Sequence, residues 1–302
     1  MFFLLVAIVA GNNLSVCCGS LISSGIMSRR NGVLLAILGY SLGFLLEGGL
    51  LRAGLLQLMP AQTGSLVLIG LCIAFVVFVI AHLLRVPESL SITFIMAIVG
   101  IELGYGKAFN PTFVATVLVF WIFSSAMAAL LTIIAMKLAR PVNRSWNVWK
   151  AAKRMKYLLI VVSFLTAFTL GANTIGFLSA ATSGFIARPY GSLITIAGII
   201  VGAALLSRGE LRRVGSEIIP LRYLNVLVSQ TAAIVMVQIG TAFSIPSSNT
   251  ETFTASLYGA GLSYRTRLLL KKPAFTILFA RIIAAIISFV LGFAATYVIY
   301  HL

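Results

Sequence analysis

The chain has 302 residues, of which 60% are hydrophobic and only 9% charged, and this composition excludes a soluble globular domain. Its net charge of +16 does not indicate a nucleic-acid partner, because the basic residues lie almost entirely at the ends of apolar runs. That placement follows the positive-inside rule of membrane proteins. The sequence therefore predicts an all-α polytopic membrane protein surrounded by the lipid bilayer.

Ten membrane crossings are predicted from apolar runs near or above 18 residues, the length that crosses a bilayer. In chain order they are 2–28, 32–54, 64–84, 87–106, 111–138, 157–187, 190–207, 220–243, 246–263 and 273–300. The segments 87–106 and 246–263 begin with polar residues. Each of these two segments is either a full crossing or a re-entrant segment.

The basic residues predict the orientation. Eighteen of the 22 fall on one side of the predicted crossings, and Arg52, Lys107 and Arg188 fall on the other. The remaining one, Arg281, lies inside a predicted helix. Because basic loops stay in the cytoplasm, we expect a multi-pass protein of the cell membrane with both termini outside.

Two polar motifs recur in the two halves of the chain. A Gly-x-Asn motif opens each half, and a proline-led hydroxyl motif follows at 87–94 and again at 246–254, an offset of 159 residues. Each half contains five predicted crossings, and because five is odd the second half is expected to be inverted. We therefore predict inverted repeats over 1–138 and 157–302, a basic cytoplasmic linker over 139–156, and broken or re-entrant helices at the centre.

These motifs resemble those of the inorganic phosphate transporter (PiT) family, which carries a Gly-Ala-Asn-Asp type motif and a Pro-x-Ser-Thr-Thr type motif in each half. The matching stretches are Gly11-Asn12-Asn13-Leu14, Gly171-Ala172-Asn173-Thr174, Pro87-Glu88-Ser89-Leu90-Ser91 and Pro246-Ser247-Ser248-Asn249-Thr250. The resemblance covers nearly the whole chain apart from the linker. It implies transport of an inorganic tetrahedral oxyanion.

The departures from the family pattern concern its sodium-linked positions. Leu14 and Thr174 replace the motif aspartates, and Cys17 and Phe177 replace the second asparagine of the motif. Sodium prefers hard oxygen ligands, which these replacements remove. The Ser-Asn-Thr-Glu run at 248–251 resembles the sulfate-permease branch of the family. The resemblance therefore favours sulfate over phosphate and a proton over sodium as the coupling ion.

The binding site is predicted at the helix N-termini after the two prolines, where unpaired N–H groups and the helix dipole favour anions. The predicted substrate ligands are Ser89, Ser91, Ser248, Asn249, Thr250, Asn13 and Asn173. The two asparagines of the Gly-x-Asn motifs are predicted to break their helices, and each could bind an ion or hold the break open. Weaker candidates are Ser15, Ser20, Thr174, Ser179 and Thr182, because hydroxyls in membrane helices often bond to the preceding turn instead.

Two charged residues complete the prediction. Glu251 is an intramembrane acid inside an anion motif, and we predict that it carries the coupling proton; a structural hydrogen bond is the alternative. Arg281 is expected to pair with Glu102 or Glu47. The alternative is that Arg281 binds the oxyanion directly.

The leading prediction is a secondary active transporter of sulfate or phosphate that works by alternating access and is coupled to protons. A sodium-coupled phosphate transporter and an uncoupled anion channel or permease are the alternatives. No enzyme signature, cofactor motif or metal-ligand spacing occurs in the sequence. A homodimer is the default expectation for a symmetric assembly.

Overall fold

The computed structural model of the protein describes residues 1–59, 64–83, 89–106, 110–142, 148–206, 223–263 and 271–301. Pro87, Glu88 and part of the predicted linker, 143–147, lie outside the described residues. The description below concerns the described ranges only, and within them the chain forms helices and short connections, without a strand.

The helices occur close to the predicted positions. In chain order they are α1 (Phe2–Ser23), α2 (Arg29–Glu47), a 3₁₀ turn (Gly48–Leu50), α3 (Leu51–Leu58), α4 (Gly64–Leu83), α5 (Leu90–Gly104), α6 (Pro111–Val142), α7 (Val148–Leu170), a π-helical turn (Gly171–Ile175), α8 (Gly176–Thr182), α9 (Arg188–Leu205), α10 (Tyr223–Ala242), α11 (Asn249–Ser263) and α12 (Lys271–His301).

Eight spans among the described residues are long and apolar enough to cross a membrane. This confirms the prediction of an all-α multi-pass membrane protein. The two motif helices α5 and α11 are the exceptions, because each has 15 residues. Fifteen residues give a helix of about 22 Å, shorter than the hydrocarbon core of about 30 Å. Of the alternatives for 87–106 and 246–263, the short helices favour re-entrant segments.

The two Gly-x-Asn motifs differ in backbone geometry. Asn173 lies in the π-helical turn that separates α7 from α8. The predicted break at Asn13 is wrong, because α1 is one continuous α-helix from Phe2 to Ser23. There the Nδ2 atom of Asn13 donates to the carbonyl of Val9, four residues back, at 3.1 Å. An asparagine that bonds to the preceding turn can remain inside a helix.

Helices from different halves of the chain pack against each other in parallel pairs. α1 packs on α9, α2 on α7, α5 on α12, and α6 on α11. Glycines allow the close approach in the first pair: Gly11 lies against Gly202 and Leu206, and Gly198 lies against Val6. α1 and α9 are parallel, because residues nearer the C-terminus of α1 contact residues nearer the C-terminus of α9. The buried core contains residues of these four pairs and of α3, α4 and α8.

The connection between α10 and α11 turns back inside the protein. Ser244 adopts a positive φ of 59°, a conformation that is uncommon outside glycine. Its hydroxyl donates to the carbonyl of Leu50 at 2.8 Å, and Gly54 of α3 lies directly against it. The short α3 therefore covers this turn, and α11 begins at a buried position behind it.

Candidate functional site

The first turns of α5 and α11 meet at a small cavity of about 10 Å³, which has room for about one water molecule. It is lined by Asn12, Asn13, Phe78, Ser89, Leu90, Ser91, Leu170, Thr174, Ser248, Asn249 and Thr250. We call it the central cavity. Six of the seven predicted ligands line it, and Asn173 is the exception. Two motifs that are 159 residues apart in the sequence thus meet at one place.

Asn12 also lines the central cavity, although the sequence analysis did not include it among the ligands. It directly precedes Asn13 at a position where the second half has Ala172. An additional amide inside an apolar helix was the signal that could have identified it. Phe78, Leu90 and Leu170 form the apolar part of the wall.

Both motif helices present free backbone donors at the cavity. The first amides that donate to a backbone carbonyl are those of Thr93, to Ser89, and of Thr252, to Ser248. The Glu251 amide donates to the Ser248 hydroxyl instead. The hydroxyls of both threonines donate to the same carbonyls, at 2.7 and 2.9 Å. The two motifs therefore share the same first-turn geometry. The N–H groups just before these threonines carry the partial positive charge of a helix N-terminus.

Asn173 fixes the loop that leads into α11. Its Nδ2 atom donates to the Thr241 hydroxyl at 2.9 Å and to the Ile245 carbonyl at 3.3 Å, while its Oδ1 atom accepts from the Ser247 amide at 2.9 Å. The Trp121 indole donates to the Pro246 carbonyl at 2.8 Å. Asn173 is fully buried and its amide is occupied by these bonds. Asn173 does not line the central cavity, and its role as a ligand stays a prediction.

Ser248 precedes α11 and occupies its N-cap position. Its hydroxyl accepts from the Glu251 amide at 3.4 Å and lies 3.4 Å from the Thr250 hydroxyl. Serine is a preferred N-cap residue, and a glutamate three residues later is the pattern of a capping box. The hydroxyls of Ser248 and Thr250 are thus held together at the cavity wall.

Asn249 is the least satisfied polar residue of the site. It is only 2% exposed, and neither its Nδ2 nor its Oδ1 atom has a hydrogen-bond partner among the described residues. Leaving a buried donor or acceptor without a partner costs about 1–3 kcal/mol. A side chain held in this state at a cavity wall is suited to bind a polar ligand there.

The first-half motif contributes hydroxyls to the same cavity. Ser89 and Ser91 are 6% and 3% exposed, and neither side chain makes a hydrogen bond within the described ranges. Both hydroxyls are therefore available to a ligand. The positions equivalent to Asn249 and Glu251 are Leu90 and Ile92, so this half provides fewer polar groups.

Arg281 of α12 lies within electrostatic range of Glu251, which directly follows the cavity-lining Thr250. Arg281 is 6% exposed, and Glu251 is half-buried in the first turn of α11. The packing of Gly100 against Phe289 and Phe293 sets α5 and α12 in register, so that Arg281 is level with the first turn of α5. Neither residue lines the cavity itself.

The register of α5 and α12 disfavours the expected pairing of Arg281 with Glu102. In the same register Glu102 lies about 18 Å further along the helices, beyond the reach of the arginine. Glu47 accepts a hydrogen bond from Gln238 of α10. The sequence could not distinguish these three acids, because which one faces α12 depends on helix packing.

Of the five weaker candidates, one lines the central cavity and four do not. Thr174 lines the central cavity. The hydroxyls of Ser15 and Thr182 donate to carbonyls three residues back, those of Asn12 and Ser179. The remaining two, Ser20 and Ser179, lie away from the central cavity; Ser179 and Thr182 line a second pocket near the start of α9. Within the described ranges, no group of three or more His, Cys, Asp or Glu side chains could hold a metal ion.

Two proteins with similar sequences are named as permeases. Over 252 residues the chain is 28% identical to "Sulfate permease CysP" of Bacillus subtilis, covering 80% of this chain and 69% of the relative. Over 299 residues it is 24% identical to "Putative phosphate permease MJ0630" of Methanocaldococcus jannaschii, covering 96% of this chain and 93% of that protein.

The fold matches a solved structure titled "The sodium-dependent phosphate transporter", with a TM-score of 0.85 and 14% sequence identity. The match covers 100% of this chain and 97% of the solved one. At this identity the likeness concerns the fold. The model of the phosphate transporter family matches residues 9–292. The chain therefore belongs to the phosphate transporter family, as the motifs in its sequence predicted.

Proposed function

We propose that this protein is a secondary active transporter of an inorganic tetrahedral oxyanion, with sulfate as the first substrate to test and phosphate as the second. The central cavity is the proposed binding site. Ser89, Ser91, Ser248, Asn249 and Thr250 supply donors, Asn12 and Asn13 complete the wall, and the N-termini of α5 and α11 supply backbone N–H groups. Membership of a transporter family favours a transport protein over an enzyme.

The unsatisfied amide of Asn249 is the observation that carries this proposal. An oxyanion between the two helix N-termini would accept from Nδ2 and from the free hydroxyls. Among the described residues, the lining has no charged side chain. Neutral donors bind a dianion without a counter-charge when they converge and when helix dipoles add to them. Sulfate offers only acceptors, whereas protonated phosphate could also donate to Oδ1 of Asn249.

Alternating access is proposed from the way in which the two halves pack. In an inverted repeat, the first helix of one half runs parallel to the second helix of the other half. The pairs α1 with α9 and α2 with α7 have this relation, and so do α5 with α12 and α6 with α11. The packing supports inverted repeats over 1–138 and 157–302, joined by the linker 139–156. Rocking of one half against the other would expose the central cavity to each side in turn.

The membrane orientation follows from the charges. The basic ends of the helices and the linker are proposed to face the cytoplasm, which places both termini outside the cell membrane. The homodimer stays a prediction.

Protons are the proposed coupling ions. Glu251 is half-buried beside the cavity, and burial disfavours a charged carboxylate. A proton bound with the anion would remove the repulsion between the two, and Arg281 would stabilise the carboxylate after the proton leaves. Leu14, at the position of a family aspartate, is fully buried in the apolar core and offers no oxygen to sodium. Sodium coupling is the alternative, because the solved structure with this fold is titled sodium-dependent.

Uptake into proteoliposomes tests this function. Labelled sulfate and labelled phosphate are offered separately, each with an imposed proton gradient, with an imposed sodium gradient, and with neither. We expect saturable accumulation of at least one anion that depends on the proton gradient and is abolished by an uncoupler. Accumulation driven by sodium alone would contradict the proton coupling. Passive equilibration under all conditions would show a channel or permease, and the absence of any anion flux would overturn the function.

A further inference from the structure

A second pocket, separate from the central cavity, opens between the C-terminal end of α2 and the start of α9. Its volume is about 240 Å³, and its described lining includes Arg52, Ser179, Ser183, Arg188 and Ser192. We call it the outer pocket. It shares no lining residue with the central cavity.

The charge of the outer pocket is positive. Arg52 and Arg188 line it, and none of the described residues of the lining is acidic. Arg188 is exposed and Arg52 is half-buried. The acid nearest to Arg52 in the sequence is Glu47, which accepts a hydrogen bond from Gln238 of α10. Neither arginine makes an ion pair or a hydrogen bond through its side chain within the described ranges.

These two arginines are unusual for their side of the membrane. The side away from the basic linker receives only three of the 22 basic residues, and two of them line this one pocket. The positive-inside rule gives no reason for their presence there. A guanidinium presents a fork of donors that matches a tetrahedral oxyanion. A pocket with two such forks and three serines is chemically suited to a doubly charged oxyanion.

The outer pocket also lies directly beside the central cavity. Thr174 lines the cavity, and Gly176, two residues later in the same broken helix, lines the outer pocket. Gly176 packs against Gly48, so that α-carbons without side chains touch there. Residues two positions apart lie on opposite faces of a helix, so the broken helix that contains the π-helical turn Gly171–Ile175 separates the two spaces. π-helical turns occur frequently at functional sites.

We propose that the outer pocket is an anion-capture site, in which Arg52 and Arg188 concentrate the oxyanion outside before it reaches the central cavity. This inference rests on the proposed function and orientation. A positive cleft raises the local concentration of an anion and its rate of association, and the effect falls as salt screens the charges. Capture therefore lowers the external concentration needed for half-maximal uptake and leaves the maximal rate unchanged.

The test measures uptake of labelled sulfate and phosphate by intact cells, where only the outer face meets the added anion. We expect the double variant R52Q/R188Q to raise the apparent KM about tenfold, with an unchanged maximal rate. Its KM should also depend less on ionic strength than that of the wild type, a readout that a structural role would not change. The matched control is Arg30→Gln, which removes an exposed arginine from the other end of α2 and should leave KM unchanged.

If the double variant had the KM and the salt dependence of the wild type, the capture site would be overturned. The proposed transport function would be unaffected by that result. Equilibrium dialysis of labelled sulfate against the purified protein in detergent gives an independent measurement if wild-type uptake is absent. There we expect the double variant to bind less sulfate per chain at low ionic strength than the wild type and Arg30→Gln. Equal binding by all three proteins would also overturn the proposal.

Discussion

The two motif helices share a backbone geometry and differ in chemistry. In both α5 and α11, a threonine hydroxyl and amide close the first turn on the serine four residues earlier. Only the second-half motif adds Asn249 and Glu251, where the first half has Leu90 and Ile92. A repeated scaffold can thus keep its helix N-termini for anion binding while its side chains specialise in one half. The predictions below test this difference, from the largest expected effect to the smallest.

The change Asn249→Leu gives the second half the residue type of the first. We expect the kcat/KM of anion uptake to fall about 30-fold, since the lost hydrogen bonds to a charged ligand are worth about 2 kcal/mol. The melting temperature of the ligand-free protein should stay the same or rise, because a buried unsatisfied amide is removed. Uptake and thermal melting in detergent measure the two effects.

The matched control is Asn225→Leu, which also removes a buried asparagine with an unpartnered oxygen. Asn225 lies on α10 and does not line the central cavity. We expect its KM to equal that of the wild type. An equal loss of uptake in both variants would show that any buried amide has this effect, and the assignment of Asn249 as a ligand would fail.

The change Asn173→Ala tests the scaffold behind the second motif. It removes three hydrogen bonds to Thr241, Ile245 and Ser247, so we expect a loss of about 3 kcal/mol in the free energy of unfolding, at about 1 kcal/mol per bond. Denaturant titration measures this loss. Asn13→Ala in the first half removes one bond, to Val9, and should lower stability less. Equal losses would contradict the asymmetry between the halves.

The change Glu251→Gln makes the second half neutral at that position, as the first half is. We expect uptake by the variant to lose its dependence on the proton gradient while the anion still binds, because an amide cannot carry the proton. Uptake at several external pH values measures this. Unchanged proton coupling would remove Glu251 from the mechanism, and Glu47→Gln is the matched control, an acid that bonds to Gln238 on another helix.

The change Trp121→Phe removes a single bond, from the indole to the Pro246 carbonyl. We expect a loss of about 1 kcal/mol in the free energy of unfolding and a change of only a few-fold in KM. A loss of uptake as large as that of Asn249→Leu would show that this bond sets the position of the binding motif.

The sequence by itself was sufficient for the class of protein, the family, the order of the helices and most of the cavity lining. Apolar runs must be helical in a membrane, because every backbone polar group needs an internal partner there. Serine, threonine and asparagine beside a proline in such runs are conspicuous for the same reason. Five of the six ligand candidates that line the central cavity follow these prolines, and the sixth, Asn13, belongs to the Gly-x-Asn motif.

The tertiary structure decided the roles of individual polar residues. Asn13 and Asn173 stand in matched motifs, yet one bonds within its own helix and lines the cavity while the other fixes a loop of α11. Arg281 lies level with the first turn of α5, far from Glu102, because the glycine contacts between α5 and α12 fix that register. Sequence spacing shows which residues share a helix face, but contacts between residues far apart in the chain depend on how the helices pack.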